Sequence, residues 1–335
     1  MILLLGSSGY VGQAFATELR RRGHSFIPLT RKAINYADFT LLFDYVRKVK
    51  PKFIINAAGS RGRPNVDACE LAREETLFAN TLLPQTIARV CSMTGTLWGH
   101  VSSGCIYRGA KLILNGNTQN VEGAKLRRLF AEHPERICGY TEWDEPNFAF
   151  RQPPCNFYSG TKALAEEAIR GLGRVYIWRP GMPFNERSEP GNLLWRLQNY
   201  ARVYDGVNSI SHLEDFVRAC LDLWEIQAPV GIYNLTNPGA VATRQVIEMI
   251  QRILKPNRRF EFWKDDEEFY LCGTRALRSN CVLDVSKLLA TGVKIRPVEK
   301  ALEDSLRHWT VSVGEPAYHR IFSAGSPASQ PRSNP

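Results

Sequence analysis

Tyr158 and Lys162 stand four residues apart in "YSGTK". At the start of a helix, that spacing puts the phenol and the ammonium on one face. A phenol with a pKa of ~10 is a weak acid and a weak base at neutral pH. A neighbouring cation favours its ionised form and brings it toward useful range. Ser103, following the apolar run "LWGHV", supplies a hydroxyl that can hold a carbonyl oxygen beside that phenol. Cys105 comes two residues later in "VSSGCIY". A free thiol, with a pKa of ~8.5, can exchange a proton on carbon next to a ketone when its surroundings help. A second reaction, if there is one, depends on Cys105.

Such a site needs a redox cofactor, and the first twelve residues offer one a seat. "GSSGYVG" places Gly6, Gly9 and Gly12, with Ser8, Tyr10 and Val11 between them, after an apolar strand and at a helix start. Glycines there permit a tight turn, close approach of backbone to a pyrophosphate and close helix packing. "NAAG" adds Ala57, Ala58 and Gly59 at the end of another strand, small enough for a cofactor to pass. The second strand ends in "LTRKA", with no acid to take a ribose hydroxyl. Arg31 can instead grip a 2′-phosphate, so NADP(H) is expected, with NAD(H) as the alternative. Asp38, after a short strand "AINYA", is expected on the adenine side. An oxidised nicotinamide would add a second positive charge near Tyr158.

The elements that must position these residues are legible as runs. "ILLLG", "SFIPLTR", "KFIINAAG", "LWGHVSSG", "VYIWRPG" and "GIYNLTN" read as strands. Between them, "SSGYVGQAFATELRRRG", "FTLLFDYVRKVK", "NTLLPQTIARVCSMTG", "SGTKALAEEAIRGL" and "HLEDFVRACLDLWEI" have helical spacing, as does the later "TRQVIEMIQRIL". Apolar strands alternating with helices predict an α/β fold: a Rossmann-type, doubly wound parallel sheet covered on both faces. Residues 1–185 are expected to form the cofactor-binding domain, and 186–311 mainly a smaller, interleaved α/β substrate-binding domain. Residues 312–335, rich in Ser, Pro and Gly, read as a disordered tail.

The 335 residues carry a net charge of +10, but the basic residues are scattered. Without an aromatic-interleaved basic stripe, an anionic small substrate and cofactor are expected rather than nucleic acid. No apolar run approaches the ~18 residues of a membrane span, and a soluble cytoplasmic protein is expected. The eight cysteines show no C-x-x-C and no zinc spacing, so reduced thiols and no metal site are expected.

Taken together these residues resemble the extended short-chain dehydrogenase/reductase family, over roughly residues 1–310. The closer likeness is to its nucleotide-sugar branch, in the 3,5-epimerase/4-reductases that make UDP-rhamnose. It rests on "INAAGSRGRPNVDACE", "SSGCIY", "DEPNF…NFYSGTKALAEE", "IYNLTNPGAV" and "RSNCVLDVSKL". GDP-fucose synthases and dTDP-4-dehydrorhamnose reductases are more distant by this likeness. The resemblance implies a nucleotide-sugar substrate, with Ser103, Tyr158 and Lys162 at the carbonyl and Arg179 and Pro180 of "RPG" beside the nicotinamide. It implies Arg196 and Arg278 at the diphosphate, and Arg63, Asn65, Asn156, Asn237 and Asn280 around the ligand. His212, Trp178 and Trp195 read as structural.

Family 4,6-dehydratases carry an Asp-Glu pair where this chain has Gly104 and Cys105, so dehydration is excluded by the likeness. In epimerase-reductases a cysteine at this spacing acts as acid/base. Arg196 stands where the plant-type enzymes have a lysine, and arginine is a poor proton donor or acceptor. Reduction of a 4-keto-6-deoxy sugar is therefore the expected reaction, with 3,5-epimerisation left open. A 4-epimerase with tightly bound cofactor and a non-catalytic NADP(H) sensor are the alternatives. Ser103 and Tyr158 are 55 residues apart, farther than in those relatives. The excess, about 108–138, reads as an inserted loop and short helix, expected as a lid or as a surface addition. The likeness also implies a homodimer through a four-helix contact; the nucleotide and the sugar stereochemistry stay open.

Overall fold

Ile2–Leu5 (β1) is buried at every residue, with Ile2 and Leu4 facing one core and Leu3 and Leu5 another. A strand that is apolar on both faces must be covered on both, and the chain supplies the covers in order. The structure, a computed structural model, describes residues 1–114 and 116–311. Helix Tyr10–Arg21 (α1) leads to Phe26–Leu29 (β2), helix Phe39–Val49 (α2) to Phe53–Asn56 (β3), and helix Leu83–Thr94 (α3) to Trp98–Val101 (β4). All six "ILLLG"-type runs become strands of one parallel sheet. Its order is β2–β1–β3–β4, then Val175–Arg179 and Gly231–Asn234. The fold is thus the Rossmann-like α/β type. From β1 the chain turns to β2 on one side and returns to β3 on the other, which opens a crevice at the carboxyl ends of β1 and β3.

Between β4 and the fifth strand of that sheet lie Ala110–Leu114 (β5), Asn117–Val121 (β6), helix Gly123–Glu132 (α4), Ile137–Cys138 (β7) and helix Phe157–Ile169 (α5). Val175–Arg179 is then β8. After it come helix Leu193–Asn199 (α6), helix Leu213–Glu225 (α7), Gly231–Asn234 (β9), helix Thr243–Leu254 (α8) and helix Val298–Arg307 (α9). Phe15 and Leu19 of α1 meet Phe216 and Val217 of α7 under one face of the sheet, while α2 and α3 cover the other. A separate core forms from Phe184, Leu194, Val246, Ile250 and Leu302. The segment 186–311 therefore builds a second core, yet gives α7 and β9 back to the first sheet.

Two expectations change. Segment 33–37 ("AINYA") is turns rather than a strand; buried Tyr36 instead closes on the glycine turn through Gly6. The insertion carries the expected short helix, α4, but its loop is ordered as strands: β5 and β6 form an antiparallel hairpin, and β7 pairs with β5. Gly116, with φ +79, sits in the hairpin's turn, and Leu112, Val121 and Leu126 pack on Val207 and Val282. The sequence held the signal, an Asn-Gly pair between β-forming runs. The call on 312–335 lies outside the described residues. Among the described residues no helix is long and apolar enough to cross a membrane, and no cluster fit to hold a metal ion occurs.

Candidate active site

The glycine turn is built for a close ligand. Gly6 has φ +75, and a Cβ there would stand 2.5 Å from the Ala58 nitrogen; one at Gly12 would stand 2.1 Å from the Gly6 carbonyl. Neither position tolerates a side chain, so the turn, α1 and the Ala57–Ala58 backbone pack directly together. Gly9 donates its N–H to the Gly6 carbonyl at 3.0 Å and caps α1, while Ala57 donates to the Leu5 carbonyl at 3.0 Å. Ser8 is exposed at the rim, and Tyr10 and Val11 start the helix whose free N–H groups face the crevice. A bare backbone cradle beside a helix N-terminus fits the pyrophosphate of a dinucleotide.

Arg31 is exposed at the end of β2. Asp38 is not an adenine contact: it is the N-cap of α2 and accepts from the Leu41 N–H at 2.9 Å. The same carboxylate cannot be told from a ribose ligand by its place in the sequence, because both jobs fall just after a strand.

Ser103 and Tyr158 meet at the carboxyl end of β4. Asn156 caps α5, so the phenol of Tyr158 lies in the first turn and Lys162 one turn later. The Ser103 hydroxyl is hydrogen-bonded to the Tyr158 phenol and accepts from the Cys105 N–H at 3.1 Å. Burial pushes the Tyr158 phenol well above its usual range, Cys105 adds to the rise, and the bond from Ser103 opposes it. In this state burial favours the protonated phenol. Lys162 is buried, donates to the Val101 carbonyl at 3.1 Å, and is lowered to about 8, first by desolvation, with Glu166 opposing. A Cβ on Gly59 would lie 3.4 Å from its Nζ, so "NAAG" passes directly over the ammonium.

What aims α5 was missed in the sequence. Glu166, one turn beyond Lys162 and buried, takes Arg179 Nη2 at 2.6 Å and Nε at 3.0 Å, and accepts from the Ser102 hydroxyl. Arg179 also donates to the Tyr107 hydroxyl at 3.0 Å. Its guanidinium, which the resemblance set beside the nicotinamide, is buried and spent on partners inside the protein. Pro180 gives its carbonyl to the Gly104 N–H at 2.8 Å.

Four further residues expected around the ligand have partners within the protein. Asn156 bonds to the Ser159 N–H and the Leu277 carbonyl, which makes it a cap and a strut rather than a ligand residue. Asn237 is fully buried, between the His212 N–H, Asp215 and the Arg296 carbonyl, and reaches no ligand. Asn65 accepts from the Asp67 N–H at 2.8 Å and shapes its loop. Arg278 forms a two-pronged pair with Asp67, 2.9 and 3.0 Å, that clasps this loop to the segment around Thr274. Arg278 and Asn280 still line a small cavity with Arg108, Tyr204 and Tyr270, roofed by Leu126 and Arg127 of the insertion. Arg63 is exposed on the crevice loop, and Arg196, on α6, keeps a buried Nε without a partner. His212 is structural as expected, capping α7 beside Glu186 and Asp215. A larger groove lies at the opposite edge of the sheet, between Lys52, Trp224 and Arg174, away from Tyr158.

The fold and the cluster define a class: a Rossmann-like domain that brings a serine, a tyrosine and a lysine together beside a glycine turn. The chain belongs to the RmlD substrate-binding domain family, which it matches over residues 1–311. It is 30% identical over 288 residues to a trifunctional UDP-glucose 4,6-dehydratase/UDP-4-keto-6-deoxy-D-glucose 3,5-epimerase/UDP-4-keto-L-rhamnose-reductase of Arabidopsis thaliana, 85% of this chain and 38% of that one. A bifunctional dTDP-4-dehydrorhamnose 3,5-epimerase/dTDP-4-dehydrorhamnose reductase of the same plant is 28% identical over 90% of both chains. The chain thus spans about two fifths of the trifunctional relatives. Among solved structures, the UDP-rhamnose synthase of Acanthamoeba polyphaga mimivirus superposes with a TM-score of 0.76 at 21% identity, covering 92% of this chain and 98% of that one. A dTDP-4-dehydrorhamnose reductase from Bacillus anthracis, in complex with NADP, gives 0.70 at 17% identity, covering 92% and 97%.

Because Glu166 and Arg179 are both buried, removing one charge strands the other. Glu166→Gln keeps the size and should cost about 3–5 kcal/mol in urea unfolding. A loss below about 1 kcal/mol would show that the pair does not anchor α5.

Proposed function

We propose that the protein is an NADPH-dependent reductase of the 4-keto group of a nucleotide-linked 4-keto-6-deoxy sugar, with 3,5-epimerisation as a second activity. The observation that carries this reading is the Ser103–Tyr158–Lys162 cluster at the carboxyl edge of the sheet, one loop from the glycine turn. The relatives named for 4-keto-rhamnose reduction support it, as does family membership. Arg31, exposed and without an acid beside it at the end of β2, supports NADPH over NADH.

The cofactor supplies a hydride when bound; Gly6, Gly9, Gly12, Ala57 and Ala58 would hold it, with Lys162 near its ribose. Ser103 donates a hydrogen bond to the substrate carbonyl and fixes its oxygen beside Tyr158. Tyr158, held protonated by burial, gives its proton to that oxygen as negative charge develops there. The Lys162 ammonium then stabilises the phenolate left behind. For epimerisation, Cys105 takes the proton from a carbon beside the ketone, and the electron pair moves into the enolate. A proton from solvent water adds at the opposite face and completes the inversion, and Cys105 releases the proton it took to solvent. Arg196 cannot exchange that proton but its charge steadies the enolate. Exposed Phe78 and Leu82, against α5 with its exposed Leu164, support a homodimer through these helices.

Tyr158→Phe keeps the packing and should cut NADPH oxidation with a 4-keto sugar nucleotide by about 10²-fold or more. Near-normal turnover would sink the reading. Since only the ammonium form of Lys162 can play its part, kcat/KM for NADPH should fall as pH rises through about 8. A flat profile to pH ~10 would remove Lys162 from the mechanism. In D2O, wild type should carry deuterium at C3 or C5 of the product and Cys105→Ala should not. Absence of label in wild type would leave reduction alone.

A further inference from the structure

The groove between Lys52, Trp224 and Arg174 shares no residue with the catalytic cluster. Lys52, Leu97, Arg174 and Val230, the residues just before β3, β4, β8 and β9, run along it at the amino edge of the central sheet. The carboxyl ends of α2 and α3 wall it on one face of the sheet and that of α7 on the other. Its volume is about 1360 Å³, beyond the ~300–1,000 Å³ of ordinary small-ligand pockets. Four neighbouring strands spaced at ~4.8 Å give it ~14 Å across the sheet, the length of about four extended residues.

Its charge is one-sided. Arg47, Lys50, Lys52 and Arg174 are exposed in it, and among the described residues none of them forms an ion pair or donates a side-chain hydrogen bond. Arg47 and Lys52 lie over the rings of Phe43 and Trp224, at 5.6 and 5.0 Å. Glu225, the acid in the lining, is already held by Arg22 and His24 at 2.6 Å each. The helix ends do not account for these cations. Arg47 sits in the last turn of α2, where a positive charge suits the helix dipole. Lys52 and Arg174 belong to no helix, and three helix ends at about −0.5 each do not balance four full charges. In the same groove Met93 is 64% exposed and Val230 42%.

An occupant must therefore bring carboxylates and apolar side chains together. Stacking of a nucleobase on Trp224 is opposed, because that ring is already stacked on Phe53 at 4.9 Å and carries the Lys52 ammonium. A second copy of the chain would bring its own net charge of +10 to the same cations. We propose that this groove is a docking site for an acidic, partly apolar segment of another protein, taken in extended form across the amino ends of the strands. Carboxylates of the segment pair with Lys52 and Arg174, and its apolar side chains cover Met93 and Val230. A partner held there leaves the carboxyl edge of the sheet, with the catalytic crevice, open.

The probe is a fluorescein-labelled peptide of about ten residues in which Glu alternates with Leu, followed by fluorescence anisotropy. Wild type should bind it, and more weakly at about 200 mM salt than at about 50 mM. The double variant Lys52→Glu/Arg174→Glu should lose about tenfold or more in affinity and gain affinity for the matching peptide with Lys in place of Glu. Met93→Ser should weaken binding of the Glu–Leu peptide severalfold, as should Ser in place of Leu in the peptide. These side chains are exposed, so every variant should keep the wild-type melting temperature. Lys255 and Lys294, on the segment 186–311, are likewise exposed and unpaired among the described residues. Reversing both to Glu should leave peptide binding unchanged; a loss equal to that at the groove would show attraction to overall charge and overturn the site. No binding of the Glu–Leu peptide up to ~1 mM, or equal affinity in wild type and the Lys52/Arg174 variant, would also overturn it. Binding of duplex DNA or phosphatidylserine vesicles through Lys52 and Arg174, tighter than that of the peptide, would overturn the choice of a protein partner.

Discussion

The Glu166–Arg179 pair is the constraint on which the active site depends. It joins α5 to β8, and through Ser102 it joins both to the end of β4. A buried ion pair contributes little net stability over a well-packed apolar contact, because desolvation offsets most of the attraction. Its value here is orientational. Glu166 lies on the face of α5 that carries Lys162 and Tyr158, so a fork held at two points fixes the rotation of the whole helix. Ser102 and Ser103, adjacent in sequence, bond to Glu166 and Tyr158 respectively. The strand end therefore reads the helix at two places.

The parts of the fold that sequence made legible are those with one physical explanation. Runs such as "ILLL" and "FIIN", apolar at every position, fit a strand covered on both faces and little else. Gly6 and Gly12 fit because any Cβ would strike backbone. Polar side chains are different. Asp38 and Asn156 carry the oxygens a ligand would need, and the same oxygens serve helix N-termini. Asn237 satisfies three buried neighbours that come together only in the folded chain, from residues 212 to 296. Arg179 was placed at the cofactor through its motif, but the acid that claims it lies thirteen residues earlier on a helix, where sequence shows only another glutamate.

The insertion was legible as an addition and illegible as a structure. Its hairpin buries Leu112 and Val121 against residues 207 and 282 of the second body, so its register is set by a surface more than eighty residues away. That packing puts Leu126 and Arg127 in the lining of the cavity of Arg278 and Asn280, and within the insertion Arg108 pairs with Glu122 at 2.8 Å. The addition is thus packed onto the second core rather than standing off the surface.

Burial acts on the crevice in one direction throughout. It raises the Tyr158 phenol, lowers Lys162 and lowers Arg61, each time disfavouring the charged form. For a proton donor that is the useful state, since a neutral phenol must reach the carbonyl with its proton. For the two cations it is a cost, and an anionic ligand relieves it. An anionic ligand entering the crevice would raise the affinity of Lys162 for its proton by linkage, because negative charge favours its cationic form. Ligand binding and the proton poise of the site are therefore one equilibrium.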